Sequence, residues 1–267
     1  MKHIDVIIFG GQSNMQGQTE CLSETAPVAG AQEYRWCEDA LIPLANPVGE
    51  NIRPDLTKGY PYTDEVPQDQ WLADHVTGSA CYGYTNMVPS FCRAYIAQTG
   101  AEVLAVHAAK GSTEIAQWLP GTAGFSALTG KAKAALAKIR EDFVVDHIFF
   151  AWLQGESDAI YKRTKAYYKE KITELCDALR TELGVEKFGI VRVGRFTNDD
   201  RDLEIIGAQD EVCAENDAFL MLTDIAVELN KQPIYMNPVV EGHYSAKGLE
   251  KLGAEAGTAL GIHAKSL

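Results

Sequence analysis

Ser13 follows an apolar run and two glycines in the stretch IDVIIFGGQSNMQGQ. A serine presented on a glycine-rich turn at the end of a buried strand is positioned as a nucleophile is. Two further polar clusters also follow apolar runs, Lys110-Gly111-Ser112-Thr113 and Gln154-Gly155-Glu156-Ser157-Asp158, and a third, Glu241-Gly242-His243-Tyr244-Ser245, comes late in the chain. Taken singly, each has an ordinary explanation. Ser13 caps a helix, Gly111 makes a tight turn, Gln154 satisfies backbone groups, and His243 lies on the surface. Taken together, they supply a nucleophile, a base, a backbone donor and a side-chain amide donor, which are the parts acyl transfer requires.

These clusters need elements to bring them together. Five segments, 4–9, 103–108, 144–153, 188–193 and 218–222, are continuous apolar runs rather than alternating ones. That pattern predicts a parallel sheet covered on both faces. Helical spacing appears between them, in Met87, Val88, Phe91 and Tyr95, and again from Phe125 to Ile139. It recurs from Ile172 to Leu183, where Gly184 makes the C-cap, and in Leu203, Ile206, Val212 and Cys213. A last helix starts at Ser245 as N-cap and buries Leu249 and Leu252. The alternation predicts an α/β fold, a three-layer α/β/α sandwich with a five-stranded parallel sheet. Ligands of such sheets collect at the carboxyl ends of the strands, where all the clusters that follow a strand fall.

Residues 19–84 break the rhythm. Short strands are expected around Tyr34-Arg35-Trp36 and residues 41–44, but the remainder is too long for an idle loop and is expected to wall or cover a pocket. The whole chain, 1–267, is otherwise read as one domain, since 267 residues of which 46% are apolar can bury a full core.

Composition excludes several classes. A net charge of −13 without clustered Lys or Arg argues against nucleic acid or an anionic membrane as partner. Six scattered cysteines without metal-ligand spacing predict reduced thiols, and no apolar run is long enough for a membrane span. The first strand begins almost at Met1, so no signal peptide is read and a cytoplasmic location is expected. HExxH, a P-loop, GxGxxG and GxSxG are all missing, so neither metal nor nucleotide cofactor is expected, and an ordinary α/β-hydrolase is disfavoured.

The four clusters resemble the sequence blocks of the SGNH hydrolases, and in detail those of the sialate O-acetylesterase and family six carbohydrate esterase (acetylxylan esterase-like) branch. That branch is marked by GQSN, a KGGT-like turn, QGExD and a late histidine leading a helix. Here these are GQSN at 11–14, KGST at 110–113, QGESD at 154–158 and His243 before SAKGLEKLG. The resemblance covers the chain apart from roughly residues 46–82. It implies a flavodoxin-like SGNH fold and a serine esterase that removes O-acetyl groups from carbohydrate of the acetylxylan or sialic acid type. Ser13 would be the nucleophile and His243 the base, with the backbone N–H groups of Ser13 and Gly111 and the Gln154 amide as oxyanion hole.

One departure concerns the acid behind His243. The superfamily's usual aspartate, three residues before the histidine, is Val240 here. Glu156 is the first candidate to replace it and Glu241 the second, with a serine–histidine dyad helped by backbone carbonyls third; Asp224 is also within reach of a neighbouring loop. Asn14, Lys110 and Trp118 are candidate substrate contacts, with Trp71 and Tyr84 as further aromatic faces for a sugar, although packing accounts for such aromatics equally well. Asp158 is expected to cap the helix after the third strand, and His75 and His107 to be structural. An esterase or acyltransferase acting on a non-sugar ester, and a degenerate sugar-binding module, are the alternatives.

Overall fold

The computed structural model describes residues 2–36, 38–49, 85–197 and 199–267. Trp71, His75, Cys81 and Tyr84, together with Cys37, lie outside them, as does most of the expected pocket wall. The sheet has seven strands: β1 (Lys2–Gly11), β2 (Ala31–Arg35), β3 (Ala40–Pro43), β4 (Val103–Ala109), β5 (Phe143–Leu153), β6 (Lys187–Val191) and β7 (Phe219–Thr223). Their order is β3-β2-β4-β1-β5-β6-β7. All neighbours are parallel except β2 and β3.

The five expected strands form the continuous block β4-β1-β5-β6-β7, the doubly wound order in which the sheet reverses direction beside the first strand. The expected count of five was too small. The interrupted region contributes the two short strands expected there, β2 and the antiparallel edge strand β3, and its mixed composition concealed only that they join the sheet. Ala31, Glu33 and Tyr34 of β2 are buried, yet Glu33 breaks the apolar run that marks the inner strands.

Eight α-helices are seen among the described residues, two of them on one face of the sheet. These are α1 (Ser13–Gln16), α2 (Val88–Thr99), α3 (Ala123–Ile139), α4 (Glu156–Ile160), α5 (Lys165–Leu183), α6 (Arg201–Glu215), α7 (Ala226–Asn230) and α8 (Ala246–Ala264). Alternation along the strands sorts the long helices. Phe9 meets Phe91 of α2 edge to face, with ring centroids 5.1 Å apart, while a Cβ on its neighbour Gly10 would lie 3.2 Å from Leu128 of α3. So α2, packed with α8, covers one face, and α3, α5 and α6 cover the other.

Local signals acted as the sequence predicts. Gly184 closes α5 at φ 74°, and the Ser245 side chain accepts from Gly248 N at the start of α8. The face of α6 differs slightly: Ile205, Ile206, Ala208 and Val212 are buried, while Leu203 is 48% exposed. No helix of the described residues is long and apolar enough to cross a membrane. The four described cysteines, Cys21, Cys92, Cys176 and Cys213, are free thiols.

Candidate active site

Strand β1 ends between β4 and β5, so the turn that follows it is flanked by the turns of both neighbours. Gly11 has φ 147°, and a Cβ there would lie 2.1 Å from the Leu153 carbonyl oxygen of β5, so no other residue fits. Gln12 anchors the turn next: its N–H donates to Leu153 O at 3.0 Å, and its Oε1 accepts from Ser157 N at 3.2 Å. Ser13 then opens α1, buried at 4% exposure. Gly111 lies against it, since a Cβ on Gly111 would be 3.4 Å from Ser13 Cβ.

The turn after β4 and the turn after β5 are tied into one unit. Gln154 is fully buried, and its Nε2 donates to Thr113 O at 2.8 Å and to Asp158 Oδ2 at 2.6 Å. Both amide hydrogens are therefore engaged, while its Oε1 accepts from Tyr168 Oη at 3.0 Å. Asp158 does not cap its own helix α4. It accepts from Ile115 N at 2.9 Å and so caps the short 3₁₀ helix Ile115–Trp118 of the neighbouring turn. Burial pushes its carboxyl up to about 6. Ser112 adopts a left-handed φ of 60° within the first of these turns, a conformation that costs a non-glycine residue about 1 kcal/mol.

The late histidine is brought in by a short loop. Asn237 Oδ1 accepts from Val239 N at 2.8 Å and Val240 N at 3.1 Å, its N–H donates to His243 O at 2.8 Å, and its Nδ2 donates to Gln18 O at 2.9 Å. One buried asparagine thus folds the loop and ties it to the segment after Ser13. The sequence reading passed over it, although an Asn-Pro pair is a turn signal. Phe196, also passed over, packs its ring edge-on to the His243 imidazole at 5.5 Å.

His243 is buried, and its Nδ1 donates to the Glu241 carbonyl oxygen at 2.9 Å, assigning the proton to Nδ1. Its Nε2 has no hydrogen-bond partner among the described residues. Burial holds its pKa below the ordinary 6.5, and the Glu241 carbonyl offsets part of that. The partner of Nδ1 is thus a main-chain carbonyl rather than either glutamate side chain.

Glu156 lies elsewhere. Its Oε1 accepts from Asn14 Nδ2 at 2.8 Å, its Oε2 has no partner among the described residues, and burial raises its pKa. Asp224 is exposed, and its carboxylate lies 3.9 Å from Arg192.

The expected substrate contacts divide. Asn14 is buried at 1% exposure, and its Oδ1 accepts from Tyr244 N at 3.1 Å while its amide serves Glu156. It clamps the serine turn to the histidine loop, and its polar groups are committed inside the protein. Trp118 is likewise buried at 2%, with its Nε1 donating to Thr113 Oγ1 at 3.0 Å and its ring edge-on to Trp152. Most of the ring packs in the core, while its remaining edge lines the cavity beside Lys110. Lys110 does reach the surface, beside a cavity of about 460 Å³ lined by Gly111, Ser112, Thr113 and Gln117. His107 is buried with its Nε2 on Met15 O at 3.0 Å, the partner that a structural histidine needs.

Comparison with known proteins follows this geometry. Two solved structures superpose along nearly the whole chain, each with a TM-score of 0.66. One is a protein from Arabidopsis thaliana, 17% identical over 98% of both chains, and the other is NanS, 14% identical over 99% of this chain and 98% of that one. A carbohydrate acetylesterase from Xanthomonas citri gives 0.53 at 16% identity, over 96% of this chain and 56% of its own. At such identities the likeness shows the fold. No curated protein matches the sequence significantly. The model of one family, described as carbohydrate esterase, sialic acid-specific acetylesterase, matches residues 73–259, well over half of the chain. The chain therefore belongs to that family of sialic acid-specific carbohydrate esterases, and is a carboxylic ester hydrolase of the carbohydrate acetylesterase kind.

Proposed function

We propose that the protein deacetylates O-acetylated carbohydrate, of the sialic acid or acetylxylan type, through an acetyl-enzyme on Ser13 with His243 as general base. The observation that carries this reading is the state of His243. Its Nδ1–H is held by Glu241 O, so Nε2, buried and without a partner among the described residues, keeps its lone pair for a proton.

In this mechanism Ser13 Oγ attacks the acetyl carbonyl as Nε2 takes its proton. The tetrahedral oxyanion collapses, the sugar leaves as an alcohol carrying that proton, and acetate stays esterified to Ser13. Water, deprotonated by the same nitrogen, then attacks the ester and releases acetate. The N–H groups of Ser13 and Gly111 face the oxyanion. Gln154 acts behind that hole, holding the Gly111 turn through Thr113 O and Asp158, because its amide hydrogens are already used. His243 is oriented by a main-chain carbonyl, and Glu156 orients the histidine loop through Asn14 rather than the imidazole itself.

Acetate release from O-acetyl sialic acid and from acetylated xylan is the direct test, with p-nitrophenyl acetate as the non-sugar comparison. Ser13→Ala is expected to lower turnover by at least about 10³-fold and to abolish fluorophosphonate labelling. Turnover that survives this substitution would sink the serine mechanism. Turnover of p-nitrophenyl acetate without release from either sugar ester would favour a non-sugar substrate.

A further inference from the structure

The Gly111 N–H, a donor the mechanism needs, is occupied in the free protein. It donates to Oε1 of Gln16 at 2.9 Å. A second donor points at the same oxygen, since Gln18 Nε2 lies 3.5 Å from it. The point where they converge is beside the nucleophile: a Cβ on Gly111 would fall 3.1 Å from Gln16 Oε1 and 3.4 Å from Ser13 Cβ. An amide oxygen is chemically close to the ester carbonyl oxygen that must come to this place. Gln16 is buried on α1, three residues after Ser13, so its carboxamide is held against the site by the turn that presents the serine.

We propose that the Gln16 carboxamide is an internal stand-in for the scissile carbonyl, which the acetyl group must displace from Gly111 before Ser13 can attack. This rests on the Ser13 mechanism proposed above and adds a residue that sets substrate affinity. An internal acceptor competes with substrate by lowering the fraction of binding-competent enzyme, so it raises KM and leaves the chemical step unchanged.

Gln16→Met keeps the length and volume of the side chain and removes the strong acceptor. Its KM for p-nitrophenyl acetate is expected to fall roughly three- to tenfold, the worth of one neutral hydrogen bond, with kcat within about twofold of wild type. Fluorophosphonate labelling of Ser13 should accelerate by a similar factor. Gln16→Glu places a charged acceptor on the same N–H and is expected to raise KM at least about tenfold at pH 7.5.

An unchanged or raised KM in a folded Gln16→Met protein would overturn the inference and make Gln16 a brace for the Gly111 turn. Should that variant not fold, Gln16→Glu decides: a raised KM at unaltered Tm supports the stand-in, and an unaltered KM refutes it. Failure of the Ser13 mechanism would look different, because wild-type turnover would then not depend on Ser13 at all.

Discussion

The residue with the most consequence is His243, because the group on its Nδ1 sets the proton affinity of its Nε2. A carboxylate there would stabilise the imidazolium and raise the pKa, whereas the Glu241 carbonyl does so weakly and burial opposes it. The base proposed here is therefore neutral and competent below the ordinary histidine range. The acid limb of kcat/KM against pH is expected to turn below 6.5 and to stay there in Glu156→Gln, whose carboxylate bonds to Asn14. A limb above pH 7 that shifts in Glu156→Gln would place the carboxylate on the imidazole after all. That the chain lacks the usual aspartate was legible as Val240 in the sequence. What replaces it was not, because a main-chain carbonyl has no residue type and leaves no mark among the side chains.

At the scale of elements, the late helix that follows His243 is fixed by how closely it can approach its neighbour. Glycines at 253, 257 and 261 recur every fourth residue on α8, at a cost of about 1 kcal/mol each against alanine in a helix interior. They are tolerated because α2 passes directly over them: a Cβ on Gly253 would meet Met87 O at 2.3 Å, and one on Gly257 would meet Phe91 O at 2.1 Å. Gly257→Ala is expected to force the helices apart, costing at least about 2 kcal/mol and lowering Tm by roughly 5 °C. Thermal unfolding checks this, and a stabilised variant would show that the two helices have room to spare. The helix itself was readable from the Ser245 cap and the apolar spacing. Its partner was not, since α2 lies more than a hundred residues earlier and nothing local says which face meets it.

At the scale of the molecule, burial of carboxylates links stability to pH. Asp5, Glu156 and Asp158 are all raised, chiefly by desolvation, and Asp158 is pushed from 3.8 up to about 6. A raised carboxyl contributes stability that is fully present below its unfolded pKa and is lost as pH rises through the folded one. Repulsion within a chain of net charge −13 works in the same direction, while the lowered His243 and His263 oppose it on the acid side. Asp158→Asn isolates one contribution. Measured by denaturant, its stability relative to wild type should improve by up to about 3 kcal/mol between pH 4 and pH 7, and a difference independent of pH would contradict the shift.

The sequence by itself determined the α/β class, the five inner strands, the three clusters at strand ends and the late histidine cluster. Those depend on short-range patterns: continuous apolar runs, helical spacing, caps and glycine turns. It also carried the family, through GQSN and QGESD. Only the tertiary structure decided that β2 and β3 extend the sheet, that the polar groups of Asn14 and Gln154 are spent inside the protein, that Asn237 folds the histidine loop, and that Gln16 occupies the Gly111 N–H. The physical reason is the same in each case. Whether a polar side chain faces substrate or satisfies a buried neighbour depends on which distant backbone groups lack partners, and that is settled only when the elements pack.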